Sequence, residues 1–140
     1  MWEGQTQSGG LYAYPPSASP LLLVSDSASD NTTRSVLIEG LDANYAPITE
    51  RIALNGTTNV TTTQSFLRIN SMRMVNSTNT GTITAKITTT LYAQINPGVG
   101  QTQMSIYTVP AGYTFYLSYT QYDAAIGFTS SAYMTAQEYN

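Results

Sequence analysis

Thr82-Ile83-Thr84-Ala85-Lys86-Ile87-Thr88-Thr89-Thr90-Leu91 is the stretch whose reading decides the fold. Ile83, Ala85, Ile87 and Leu91 share one parity. Thr82, Thr84, Lys86, Thr88 and Thr90 share the other. A strand points successive side chains to opposite faces, so this segment buries one face and wets the other. The spacing predicts one strand running on to Ile95, with Ile83, Ile87 and Leu91 inward.

The same alternation recurs upstream and downstream. Leu21 to Ser25 and Arg34 to Leu41 read as strands. In the second, Val36 and Ile38 face one way and Leu37 and Leu41 the other. Ile48, Glu50, Ile52 and Leu54 alternate with Thr49, Arg51 and Ala53. Asn55-Gly56 is a hairpin signal, because both central positions of that turn need positive φ. Thr58 to Thr62 is a short strand. Phe66 to Val75 is a longer one, with Leu67, Ile69 and Val75 inward. Met104 to Val109, the turn Pro110-Ala111-Gly112, and Tyr113 to Tyr122 follow, with Tyr113, Phe115, Leu117 and Tyr119 on one face. Tyr133 and Met134 hint at a last strand. Eight or nine strands without a helical period give an all-β fold: an antiparallel two-sheet β-sandwich, jelly-roll-like in its expected topology.

Residues 1 to 20 are rich in Gly, Ser, Pro and aromatics and read as an extended N-terminal arm. Residues 21 to 140 make the β-sandwich domain. The arm exposes Trp2, Leu11, Tyr12 and Tyr14 unless it lies on its own sheet or on a neighbouring subunit.

Composition narrows the function. Charged residues are 9% of the chain, against about 25% in ordinary soluble domains. The surface is polar through 22 Thr and 14 Ser rather than through ions. Such a surface suits a neutral, β-rich, exposed protein, and equally a subunit covered by neighbours, where desolvating charges is costly. Net charge is −3, and Arg34, Arg51, Arg68, Arg73 and Lys86 are scattered in sequence, which argues against a nucleic-acid footprint. No apolar run is long enough to span a membrane as a helix. The first residues lack the charged and apolar regions of a secretory signal.

The chain has no Cys and no His. Thiolate metal sites, disulfides and the common Ser-His and Cys-His triads are therefore absent. Lys86 would serve as a base only if buried, and it sits on the Thr-rich face. Two carboxylate pairs remain for acid–base chemistry: Asp26 with Asp30, and Glu39 with Glu50. Asp26, Asp30, Asp42 and Asn44 are oxygen ligands suited to calcium, but at no EF-hand spacing, and turn formation explains them without a metal. Asn31, Asn55, Asn59 and Asn76 head Asn-x-Ser/Thr sequons, which arise easily in a Thr-rich chain. Tyr92, Tyr107, Tyr113, Tyr116, Tyr119 and Tyr122 crowd the last third. Exposed tyrosines anchor protein interfaces and also stack on sugar rings.

Several ordered segments carry a family resemblance. They are Val24-Ser25-Asp26-Ser27-Ala28-Ser29-Asp30, Val36-Leu37-Ile38-Glu39-Gly40-Leu41-Asp42-Ala43-Asn44-Tyr45, Leu54-Asn55-Gly56-Thr57-Thr58, Phe66-Leu67-Arg68-Ile69-Asn70, Asn79-Thr80-Gly81-Thr82-Ile83 and Tyr107-Thr108-Val109-Pro110-Ala111-Gly112. In this order and spacing, over residues 12 to 122, the chain resembles a family of tailed-phage virion structural proteins common in marine and cyanobacterial phages. The resemblance implies a non-enzymatic particle component located in the virion, without a cofactor. Its expected partners are further copies of itself, with a trimer suggested by the phage analogy, and the major capsid protein or other virion proteins. A capsid decoration or cement subunit is the leading reading; a tail or fibre component, or a carbohydrate-binding adhesin module, are the rivals. Trp2, Leu11, Tyr12, Tyr14, Tyr113, Tyr116 and Tyr119 are the candidate inter-subunit contacts.

Overall fold

The computed structural model describes residues 12–75 and 77–116. Among them are seven strands and no helix: β1 (Ser19–Ser25), β2 (Ser35–Leu41), β3 (Pro47–Ala53), β4 (Val60–Phe66), β5 (Arg68–Val75), β6 (Ile83–Ile87) and β7 (Thr90–Ile95). They form two antiparallel sheets, one ordered β4-β1-β6-β7 and the other β3-β2-β5. Leu21, Leu23, Phe66, Ile83, Ala85, Ala93 and Ile95 of the first sheet meet Val36, Ile38, Ile69, Met72 and Met74 of the second in one buried cluster. The all-β sandwich read from the alternation is thus the fold. A jelly roll has eight strands; the described residues supply four and three.

Register explains where the inward sets depart from expectation. The run from Thr82 to Ile95 is two strands, not one. It folds back at Thr88-Thr89, where Thr88 has φ 57°. The β6–β7 ladder then slips between Ala85 and Lys86, so that Ala93 faces Ala85 while Leu91 faces Lys86. Tyr92 is the extra residue, and both Tyr92 and Ala93 are buried. Ile83 is fully buried as expected, but Ile87 and Leu91 are only half-buried.

A second slip lies between β2 and β5. Glu39 faces Ser71 and Gly40 faces Ile69, leaving Asn70 as the bulged residue. The parity of β5 reverses there. Met72 and Met74 point inward beyond it, and Val75, expected inside, is half-buried at the strand end. Leu41 shares the outer parity of Leu37 and Glu39, yet it is 1% exposed, beside the cleft that Tyr107 and Pro110 wall. Gly40 sits opposite the bulge, where a Cβ would collide with the Arg68 carbonyl oxygen and the Phe66 ring.

The Asn55-Gly56 turn also differs. Thr58 N–H donates to the Asn55 carbonyl, so Gly56 and Thr57 are the central residues. Only Gly56 has positive φ (57°). The turn does not join paired strands: β3 belongs to one sheet and β4 to the other. It carries the chain across the sandwich. The edge where it crosses is closed by side chains. Glu50 accepts from Thr63 N–H and Gln64 N–H, each at 2.8 Å, and the Gln64 amide donates to the Thr49 carbonyl at 2.7 Å.

Residues 104–109 form no strand. They follow β5 as an extended segment whose residues alternate between half-buried and exposed. Met74 N–H donates to the Gly100 carbonyl and Thr102 N–H to the Met72 carbonyl. The Asn70 amide then makes paired bonds with the backbone of Thr108, at 3.0 and 2.9 Å. A bulged side chain thus substitutes for a ladder rung. The Pro110-Ala111-Gly112 turn is present, closed by Tyr113 N–H on the Pro110 carbonyl, with Gly112 at φ 80°. Residues 113–116 are not in a strand. Leu117, Tyr119, Tyr122, Tyr133 and Met134 lie outside the described residues, as do Trp2 and Leu11.

Ser19 and Pro20, expected in the arm, belong to β1. Tyr12, Tyr14 and Pro15 pack on the sandwich itself. The Tyr12 hydroxyl donates to the Tyr92 carbonyl at 3.0 Å. Tyr12 and Tyr14 meet edge to face, with centroids 4.9 Å apart. Arg68, 8% exposed, is held between the rings of Tyr14 (4.7 Å) and Tyr45 (5.4 Å) and donates to the Pro15 carbonyl.

Candidate binding surface

The carboxylate pairs are separated or already engaged. Asp30 is fully buried. Its Oδ2 accepts from the Ser25 hydroxyl (2.6 Å) and Gly81 N–H (2.9 Å). Its Oδ1 accepts from Thr80 N–H (2.8 Å) and the Arg34 guanidinium (2.9 Å). Burial alone would raise its pKa. The Ser25 hydroxyl, the two backbone N–H groups and Arg34 together outweigh burial and hold it below the ordinary 3.8. With its Gly56 and Ser27 backbone bonds, Asp30 ties the β1–β2 loop, the Gly56 crossing and the β5–β6 link together. Asp26 is exposed and accepts from Thr82 N–H at 2.7 Å.

Glu39 and Glu50 lie on opposite faces of their sheet. Glu50 pairs with Ile38, a core residue, and Glu39 pairs with Thr49 on the outside. The calcium candidates do not converge either. Asp30 precedes β2 and Asp42 follows it, and Asp42 Oδ1 accepts from Asn44 N–H and Ala46 N–H as a turn former. Among the described residues, no three His, Cys, Asp or Glu gather where they would hold a metal ion.

The surface features instead cluster on the outer face of the β3-β2-β5 sheet. An open cleft of about 400 Å³ lies there, with Glu39, Thr49, Ser71 and Ile48 along it and Tyr107 and Pro110 as its wall. Glu39 accepts from the Ser71 hydroxyl at 2.7 Å. Tyr107 is 60% exposed and its ring centroid lies 6.3 Å from that of Phe115. Beyond them Tyr113 and Tyr116 are 71% and 86% exposed. Of the expected contact residues, Tyr113 and Tyr116 are therefore open. Tyr14 is at the edge of exposure and Tyr12 is half-buried. Burial, and then the neighbouring Tyr14 and Tyr92, push the Tyr12 phenol pKa up, against the opposing pull of Arg68.

The ladder registers assemble one feature that linear reading scattered. Leu37 faces Arg51 on β3 and Arg73 on β5. Directly opposed residues share a sheet face, so both arginines stand in one outer row, and both are exposed. The next row is Thr49, Glu39 and Ser71. The numbers 51 and 73 carry no periodic relation; only the central position of β2 brings them together.

No protein-family model, no curated protein and no solved structure matches the chain.

Proposed function

We propose that this chain is a non-enzymatic virion structural protein of a tailed phage, a capsid decoration or cement subunit that works as a homo-oligomer on the shell. The ordered motif set over residues 12 to 122 suggests the phage class. The observation that carries the assembly role is the exposed aromatic group Tyr107, Tyr113, Phe115 and Tyr116. These four rings offer about 400–700 Å² of solvent-facing surface at ordinary aromatic areas. A standard interface takes about 800 Å² from each partner. Tyrosine is enriched at the centres of such interfaces and charge is depleted; this chain has 9% charged residues. The arm residues Tyr12 and Tyr14 are engaged within the chain and are dropped from the contact set.

Sedimentation of the full-length protein tests the reading. The expected result is an oligomer, with a trimer as the specific expectation, at tens of micromolar. Replacing Tyr113 and Tyr116 together by Ser is expected to shift it at least tenfold toward monomer. A monomer at every concentration would end the assembly reading.

A further inference from the structure

We infer that the outer face of the β3-β2-β5 sheet binds an acidic glycan, with Arg51 and Arg73 taking the carboxylates and the Tyr107-walled cleft taking the sugar rings. Arg51 and Arg73 flank Leu37 in one row. Two strand spacings set them about 9–10 Å apart. Neither makes an ion pair among the described residues; the ion pair there is Arg34 with Asp30. Two exposed guanidiniums on a protein of net charge −3 form a local reversal of sign, and a guanidinium fork fits a carboxylate.

The adjacent row supplies the rest of a sugar site. Thr49 and Ser71 carry hydroxyls. Glu39 has one oxygen engaged by Ser71, leaving the other to accept from a sugar hydroxyl. Tyr107 offers a ring face for stacking against the apolar side of a pyranose. The cleft of about 400 Å³ falls within the range of small-ligand sites.

The same geometry disfavours other anions. β2 is the central strand, with ladders on both sides, so its backbone is not open to an added peptide strand. Two arginines beside an acidic Glu39 make a poor footprint for a densely charged nucleic acid. A spaced polyanion rich in hydroxyls fits: uronate residues over the arginine row, ring hydroxyls over Glu39. Tyr107 is shared with the assembly surface, so the arginine row, which the oligomer reading does not use, is what tells the two apart.

The test titrates full-length protein with hexagalacturonate at low salt, followed by calorimetry. Saturable binding is expected, weakening as salt rises. Arg51→Gln and Arg73→Gln should each weaken it at least tenfold, and Tyr107→Ala likewise, with unchanged circular dichroism. Neutral maltohexaose should bind at least tenfold more weakly. Hexagalacturonate affinity unchanged in both arginine variants would overturn the inference. So would an absence of uronate binding at millimolar concentration, or tighter binding of poly-glutamate, which would make this an acidic-protein face. Sedimentation of the same variants separates this from assembly: Arg51→Gln and Arg73→Gln should leave the oligomer intact.

Discussion

Asp30 ties together three loop segments, since four donors converge on one carboxylate with no solvent access. Removing this acceptor leaves the Ser25 hydroxyl and two backbone N–H groups without their partner, which costs about 1–3 kcal/mol, while Arg34, 28% exposed, keeps its bonds to Thr78 and Thr80. Asp30→Ala is expected to lower unfolding free energy by about that amount in urea titration. Its folded pKa lies below the unfolded value, so its contribution is fully present above the unfolded pKa. It is lost as pH falls through the folded pKa, where protonation removes the acceptor. Wild-type stability should therefore decline below about pH 4, and Asp30→Asn should flatten that decline. Thr88 is the opposite case. A β-branched residue at φ 57° is strained, and a two-residue hairpin with positive φ first favours Gly there. Thr88→Gly should raise stability by about 0.5–1 kcal/mol, after the entropy Gly loses on folding. A fall in melting temperature would show that Thr88 has a compensating role.

Elements here are joined by polar side chains wherever the ladder fails. At the β1–β4 irregularity the buried Thr62 hydroxyl accepts from Leu21 N–H at 2.8 Å and donates to the Gln64 carbonyl at 2.8 Å. At the β5 bulge, Asn70 does the same for Thr108. Asn70→Ala is expected to cost about 1–3 kcal/mol, the price of two backbone groups left unmade. Hydrogen exchange at Thr108 should accelerate before that of β5, because its N–H is held by the Asn70 side chain rather than by a strand ladder. The alternation of strands was legible in the sequence, as were the shared face of Val36 and Ile38 and the inward places of Ile69 and Ile83. The reversals at Asn70 and Tyr92 were not. A bulge is decided by what the partner strand presents, and no single strand records it. The Thr88 turn was hidden for a related reason: threonine is a strand former, so Thr88-Thr89-Thr90 reads as continuation rather than as a corner.

At the scale of the whole molecule, the arm closes one end of the sandwich through the Tyr14–Arg68–Tyr45 stack and the Tyr12–Tyr92 bond. A chain beginning at Ser17 is expected to be about 2–4 kcal/mol less stable, from lost aromatic burial and cation–π contact. Replacing Tyr12 and Tyr14 by Ala in the full chain should leave its sedimentation unchanged, since those two tyrosines are engaged within the chain. The binding face was the least legible part. Its two arginines lie 22 positions apart and meet only through Leu37. The aromatic group was visible as a cluster in sequence, yet its exposure at Tyr107, Tyr113 and Tyr116 depends on where the chain leaves β5.

The placement of β1 between β4 and β6 has a consequence for synthesis on the ribosome. Among the described strands β1 emerges first, but Leu22 must wait for Thr61 on one side and Lys86 on the other. The β2–β3 hairpin, whose partners are near in sequence, can form long before. During that interval Leu21-Leu22-Leu23-Val24 is an apolar segment with open edges, and chaperone capture or aggregation of the nascent chain should centre on it.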